Sequence, residues 1–155
     1  MLQFCRTKFV GFEQESAEIL KIYGTLDDTL YAMHIELTVK LPELIITTIT
    51  GKMRRYTTPF CEEAQNFLRN AEGLKIEPGF QSQVRRLIGR PGCQHLGNLI
   101  NECCESIIPA LLCMKYKELK ETNPNISMSE VFQQLKTIYP QMGSFCTTFS
   151  QFNEM

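Results

Sequence analysis

Hydrophobic and polar residues alternate along the first third of the chain and recur at helical spacing thereafter. Met33, Ile35, Leu37, Val39 and Leu41 are separated by His34, Glu36, Thr38 and Lys40. A period of two predicts a strand with one buried face. Before it, segments 6–12 and 18–24 are β-rich runs, the second closed by Gly24 and the turn Leu26-Asp27-Asp28-Thr29. After it, Leu41-Pro42-Glu43 makes a turn, and segment 43–51 supplies the next strand. Such short connections favour an antiparallel meander.

The period changes after Gly51. Thr58-Pro59-Phe60-Cys61-Glu62-Glu63 reads as a helix start, with Thr58 as N-cap, Pro59 in the first helical position and acids in the first turn. That helix is expected to reach about Gly73, with Phe60, Ala64, Phe67 and Leu68 inward. Pro78-Gly79 opens a shorter helix through Val84, Leu87 and Ile88, ended by Gly89. Pro91-Gly92 opens a third, with Leu96, Leu99, Ile100, Cys103, Ile107, Ala110, Leu111 and Met114 at helical spacing. Pro109 should kink or split it, because proline has no N–H for the carbonyl four residues back. Ser127-Met128-Ser129-Glu130 is a capping box for a last helix, with Val131, Leu135 and Ile138 inward. The tail from Gly143 is expected to fray. Strands followed by helices make an α+β fold: an N-terminal antiparallel sheet of three to four strands, then three to four helices packed on one face. Residues 1–142 form one domain in this scheme.

Composition narrows the class. With 155 residues, 43% hydrophobic and 21% charged, the chain can bury a real core, which excludes a disordered chain or a disulfide-dependent mini-protein. No internal repeat is present. The formal net charge of −1 supplies no global field for nucleic acid. Polar and charged residues follow Met1-Leu2-Gln3-Phe4-Cys5-Arg6, unlike a signal peptide, and no apolar run approaches the roughly 20 residues of a membrane helix. The expected compartment is therefore the cytoplasm, with reduced thiols and no membrane.

Seven cysteines against two histidines are the unusual entry in the composition. An odd number, two of them adjacent at Cys103-Cys104, suits a disulfide framework poorly. Cys103, Cys104 and Cys113 fall inside an apolar helix pattern and are expected to pack as small hydrophobes. Cys5 and Cys146, near the ends, carry no pattern. Cys61 and Cys93 differ, because each falls in the first turn of a predicted helix after a proline-containing turn. Unpaired N–H groups and the positive end of the helix dipole favour a thiolate there. Gly92-Cys93-Gln94-His95 adds an imidazole two residues from the second thiol. Together with His34, these residues offer two sulfurs and two nitrogens, a tetrahedral set suited to Zn²⁺ or an iron–sulfur cluster. His34 shares the face of Glu36, Thr38 and Lys40, which suggests an exposed strand position, although a bulge at the strand opening can re-aim a side chain.

Segment 18–112 resembles an uncharacterised bacterial domain-of-unknown-function family in four motifs. They stand here as His34-Ile35-Glu36-Leu37, Pro59-Phe60-Cys61, Gly73-Leu74-Lys75-Ile76-Glu77-Pro78-Gly79-Phe80, and Gly92-Cys93-Gln94-His95-Leu96. More distantly, the order of strands, cysteine at a helix start, helix, and cysteine at a later helix start is similar to the NifU/IscU iron–sulfur assembly scaffolds. That likeness implies a scaffold or carrier rather than an enzyme, possessing a metal ligand set of His34, Cys61, Cys93 and His95. The strand opening carries Met33-His34 where the scaffolds have a cysteine, and the glycine-rich run after their middle cysteine is absent.

Two other classes compete. A thiol-dependent enzyme would use Cys93 or Cys61 as nucleophile and His95 as base, although no orienting acid or oxyanion motif is evident in the sequence. A metal-free module binding a protein partner or nucleic acid would use segment 52–90, where Lys52, Arg54, Arg55, Arg69, Lys75, Arg85, Arg86 and Arg90 outnumber four acids. Without aromatic–basic interleaving, that segment argues against a nucleic-acid binder. No phosphate-cradling glycine loop is present, which argues against a nucleotide enzyme.

Overall fold

A computed structural model describes residues 1, 3–140 and 142. Four strands, β1 (Arg6–Ser16), β2 (Ile19–Asp28), β3 (Ala32–Lys40) and β4 (Ile45–Arg55), form one antiparallel sheet in the order β1-β2-β3-β4. They are followed by α1 (Phe60–Glu63), which tightens into a 3₁₀ stretch (Ala64–Ala71), and by α2 (Phe80–Val84), which widens into a π turn (Arg85–Gly89). Then come α3 (Gln94–Glu105), α4 (Ile107–Thr122) and α5 (Met128–Ile138). The α+β class and the meander are as the alternation predicts. The expected tail from Gly143, and Cys146 within it, lie outside the described residues.

The chain divides into two compact units, Met1–Glu105 and Ser106–Met155. In the first, the inward positions of β2 and β3 (Leu20, Ile22, Leu26; Met33, Ile35, Leu37, Val39) are buried. Each such side chain contributes on the order of 1.5–3 kcal/mol on full burial. The 3₁₀ stretch packs on β4, and α3 packs on β2 and β3. Both helices therefore cover one face of the sheet.

β2 does not close at Gly24; it continues to Asp28. A Cβ at position 24 would stand 2.5 Å from Cys103 Sγ and 3.3 Å from Leu99 Cγ. The glycine thus admits α3 against the sheet and ends nothing. The strand stops at Asp28, whose carboxylate Oδ1 accepts the backbone N–H groups of Leu30 (2.8 Å) and Tyr31 (2.7 Å), a local alternative to the sheet ladder.

Other expectations shift at helix ends. The Thr58 hydroxyl caps no backbone N–H: Pro59 holds the N-cap position without a side-chain cap, the Thr58 hydroxyl lies beside Cys61 Sγ, and only the Thr58 carbonyl meets the first turn, accepting the Cys61 N–H at 3.0 Å. Phe60 is 76% exposed rather than inward, because the buried stripe is Ala64, Leu68 and Ala71. The third helix splits at Ser106, where α3 ends and α4 begins, as proline three residues on requires. In the second unit, the restarted α4 buries Ile107, Ile108, Leu111 and Leu112 and leaves Cys113 exposed. Cys113 is therefore not a packing thiol, because the new stripe turns it outward. α5 opens with the complete capping box of Ser127 and Glu130, and buries Val131, Phe132 and Leu135. Ile138, expected inward, is 53% exposed because the inward stripe of Phe132 and Leu135 continues into the buried Tyr139 instead.

Candidate functional site

Three segments of the first unit converge at the end of the sheet: loop 29–31, turn 56–61 and the start of α3. Asp28 organises the first of them. It is 4% exposed, and its Oδ2 accepts from the Arg6 guanidinium, 2.7 Å from Nη2 and 2.8 Å from Nε. Burial alone would raise its pKa, but the Tyr31 and Leu30 N–H groups and Arg6 outweigh that and hold it below the usual carboxylate value. From the end of β4, Arg55 binds Asp27 Oδ1 and the carbonyl of Asp28, and reaches the Tyr31 carbonyl at 3.5 Å. Loop 29–31 is thereby tied to β1 and β4.

That loop presents Tyr31 to both neighbours. Its hydroxyl lies 3.3 Å from Thr57 Oγ1, and its ring stacks at a tilt on His95, centroids 4.4 Å apart. Thr57 and Thr58 in turn flank the Cys61 thiol, at 4.0 and 3.5 Å from Sγ. The Thr58 hydroxyl is the largest influence lowering the Cys61 pKa, and it prevails over the burial of this half-exposed sulfur. More of the thiol is therefore thiolate at neutral pH than for an ordinary cysteine.

The third segment is delivered by the π turn. The Arg90 N–H donates to Arg85 O across the wide ring (2.8 Å), the Gly92 and Cys93 N–H groups both donate to Ile88 O (3.0 and 3.1 Å), and these bonds end α2 in a tight reversal. A Cβ at Gly92 would meet Phe67 Cδ2 at 2.8 Å and Ile88 O at 2.9 Å. Only glycine passes there, and Cys93 follows directly. Cys93 Sγ lies 3.9 Å from His95 Nδ1. Burial first, and then the charge of Arg6, lower the His95 pKa, with Asp28 partly opposing them. The imidazole is accordingly neutral at pH 7, the form that accepts a proton or ligates a metal.

Cys61, Cys93 and His95 are thus linked through Thr57 and Tyr31. His34 is not part of this group. It alternates with the buried Met33 and Ile35 and pairs in the ladder with Thr25 and Lys52, which places its side chain on the face away from the helices. Among the described residues, no group of three or more His, Cys, Asp or Glu is placed to hold a metal ion. The four-residue tetrahedral set therefore does not stand assembled. Cys103, pushed up to about 12 by burial, and Cys104, raised well above the ordinary thiol value for the same reason, are inert core thiols. Cys5 is exposed.

Tyr31, Asp28, Arg6, Arg55 and Thr57 carry no motif and were not recognisable as site residues in the sequence. Asp27-Asp28 gave a signal only as a turn former, and Arg55 only as one of the basic residues of segment 52–90. The fold and site define an α+β domain with two half-exposed thiols, Cys61 and Cys93, at one end of a helix-covered sheet. By its sequence, the chain belongs to the family described as Protein of unknown function (DUF2889), whose model matches residues 13–108. No curated protein and no solved structure matches it. Among the described residues, no helix is long and apolar enough to cross a membrane.

Proposed function

We propose that this is a thiol-dependent domain in which Cys61 is the reactive group and Cys93, beside neutral His95, is its companion thiol. The observation that carries this is the pair of threonine hydroxyls on the Cys61 sulfur, Thr58 at 3.5 Å. A thiolate held by hydroxyl donors at a helix start is a nucleophile toward an electrophilic carbon or sulfur centre. His95, 3.9 Å from Cys93, can accept that thiol's proton once a ligand draws the two together. Tyr31 couples the two halves by touching Thr57 and His95. The test is iodoacetamide labelling of the native protein at neutral pH, mapped by mass spectrometry. Cys61 should label faster than the exposed Cys5 and Cys113 despite its lower exposure. Labelling slower than both would remove the proposal.

A second proposal, the metal site implied by likeness to the NifU/IscU scaffolds, retains one point of support. Two ligands of one tetrahedral zinc lie roughly 3.6 Å apart, given Zn–S and Zn–N bonds of about 2.3 and 2.05 Å. The Cys93–His95 separation of 3.9 Å is close to that. Cys61 would be the next donor, and an iron–sulfur cluster would draw on the same thiols. Zinc titration with a chromophoric competitor separates the two proposals: one tightly held ion per chain, lost in both Cys61→Ser and Cys93→Ser, favours metal.

A further inference from the structure

The eight basic residues of segment 52–90 are not equivalent in the folded chain. Arg55 is spent on Asp27, and Lys75 pairs with Glu77 at 3.2 Å. Lys52 and Arg54 lie on β4. The other four, Arg69, Arg85, Arg86 and Arg90, are exposed, and among the described residues none of them forms an ion pair with an acid.

The fold gathers these four. The 3₁₀ stretch carrying Arg69 packs against the π turn carrying Arg85 and Arg86, and Asn70 Nδ2 donates to the Leu87 carbonyl at 3.0 Å. Each of the four arginines lies within three residues of that bond. No Asp or Glu occurs in segment 78–101. Nor does any exposed large hydrophobic residue fall between Phe60 and Met128. Segment 61–105 therefore offers neither the apolar anchors of a protein interface nor the apolar wedge of a membrane-surface helix. Within it no exposed aromatic is available on which unpaired bases would stack. What remains is an arginine-only cationic face, suited to bidentate contact with phosphate oxygens.

We infer that Arg69, Arg85, Arg86 and Arg90 form a docking surface for the phosphodiester backbone of a nucleic-acid duplex, bound without regard to sequence. Ion pairing occupies two cations of the segment, and folding brings four others around one bond, with Glu72, whose Oε1 accepts the Ile49 N–H at 3.3 Å, as the one acid equally near in sequence. The surface is independent of the Cys61 chemistry.

Fluorescence anisotropy of a labelled mixed-sequence DNA duplex, and of the RNA duplex of the same sequence, tests it. The full chain should bind at low salt, with log K falling against log salt at a slope of about −3.6 for four phosphate contacts. Arg85→Gln/Arg86→Gln, and separately Arg69→Gln/Arg90→Gln, should each cut that slope by about 1.8, with unchanged circular dichroism. Failure to bind either duplex at low salt would overturn the inference, as would binding that neither double variant weakens. Equally tight binding of polyglutamate, or of phosphatidylglycerol vesicles, would replace it with an acidic-protein or membrane surface.

Discussion

Replacing Asp28 tests the arrangement that holds the thiol site together. The carboxylate is buried and accepts four hydrogen bonds: two from loop N–H groups and two from Arg6. Removing one partner of a buried ion pair costs about 3–5 kcal/mol. Here the Arg6 side chain is 36% exposed, so water can partly solvate the abandoned guanidinium, and Asp28→Ala is expected near the lower end, about 3 kcal/mol. Asp28→Asn keeps an oxygen for the two N–H groups and loses the charge, which costs about 1.5–3 kcal/mol. Urea unfolding followed by circular dichroism measures both. Because the folded pKa of Asp28 is depressed, its contribution is fully present above the unfolded value and disappears as pH falls through the folded one. The gap between wild type and Asp28→Asn should therefore begin to narrow below about pH 4 and vanish only below the folded pKa. The same variant should lower the His95 pKa in an NMR titration, because the Asp28 charge raises it and Arg6 lowers it. An Asp28→Ala protein within 1 kcal/mol of wild type, with an unmoved His95, would refute this reasoning.

Three further outcomes are expected. Gly24→Ala places a Cβ 2.5 Å from Cys103 Sγ and should cost about 1–3 kcal/mol by overpacking; adding Cys103→Ala should recover much of it, a coupling readable in a double-mutant cycle. Ser127→Ala removes the side-chain acceptor of the Glu130 N–H and should cost about 1 kcal/mol in the second unit, seen as faster amide exchange at the start of α5. Thr58→Val deletes the hydroxyl nearest Cys61 Sγ, so the midpoint of the Cys61 alkylation–pH curve should move up; an unchanged midpoint would assign the lowered pKa to another cause.

Those residues also show what the chain discloses before folding is known. The alternation from Met33 to Leu41, the capping box at Ser127 and the split near Pro109 are local, so sequence sufficed for the sheet, α5 and the α3/α4 break. Gly24 misled because a glycine needed for close packing looks like one needed for a turn, and only the position of Cys103 tells them apart. Phe60 misled because the 3₁₀ stretch changes the period, which rotates the buried stripe to Ala64, Leu68 and Ala71. At the site, Cys61, Cys93 and His95 were visible because helix starts announce themselves through proline and glycine. Tyr31 was not, since its role depends on β2 and β3 bringing their connecting loop beside turn 56–61. His34 lies near the start of its strand, at the same end of the sheet, but strand parity sends it to the other face.

The proposed chemistry rests on the ionisation of one sulfur. The most direct measurement is the rate of Cys61 alkylation from pH 5 to pH 10 in the native protein, resolved from the other thiols by mass spectrometry. A midpoint below the value of about 8.5 for an unperturbed cysteine, with rapid labelling at neutral pH, is the expected result. A midpoint at or above that value would contradict the central claim, because Cys61 would then be a thiol like any other.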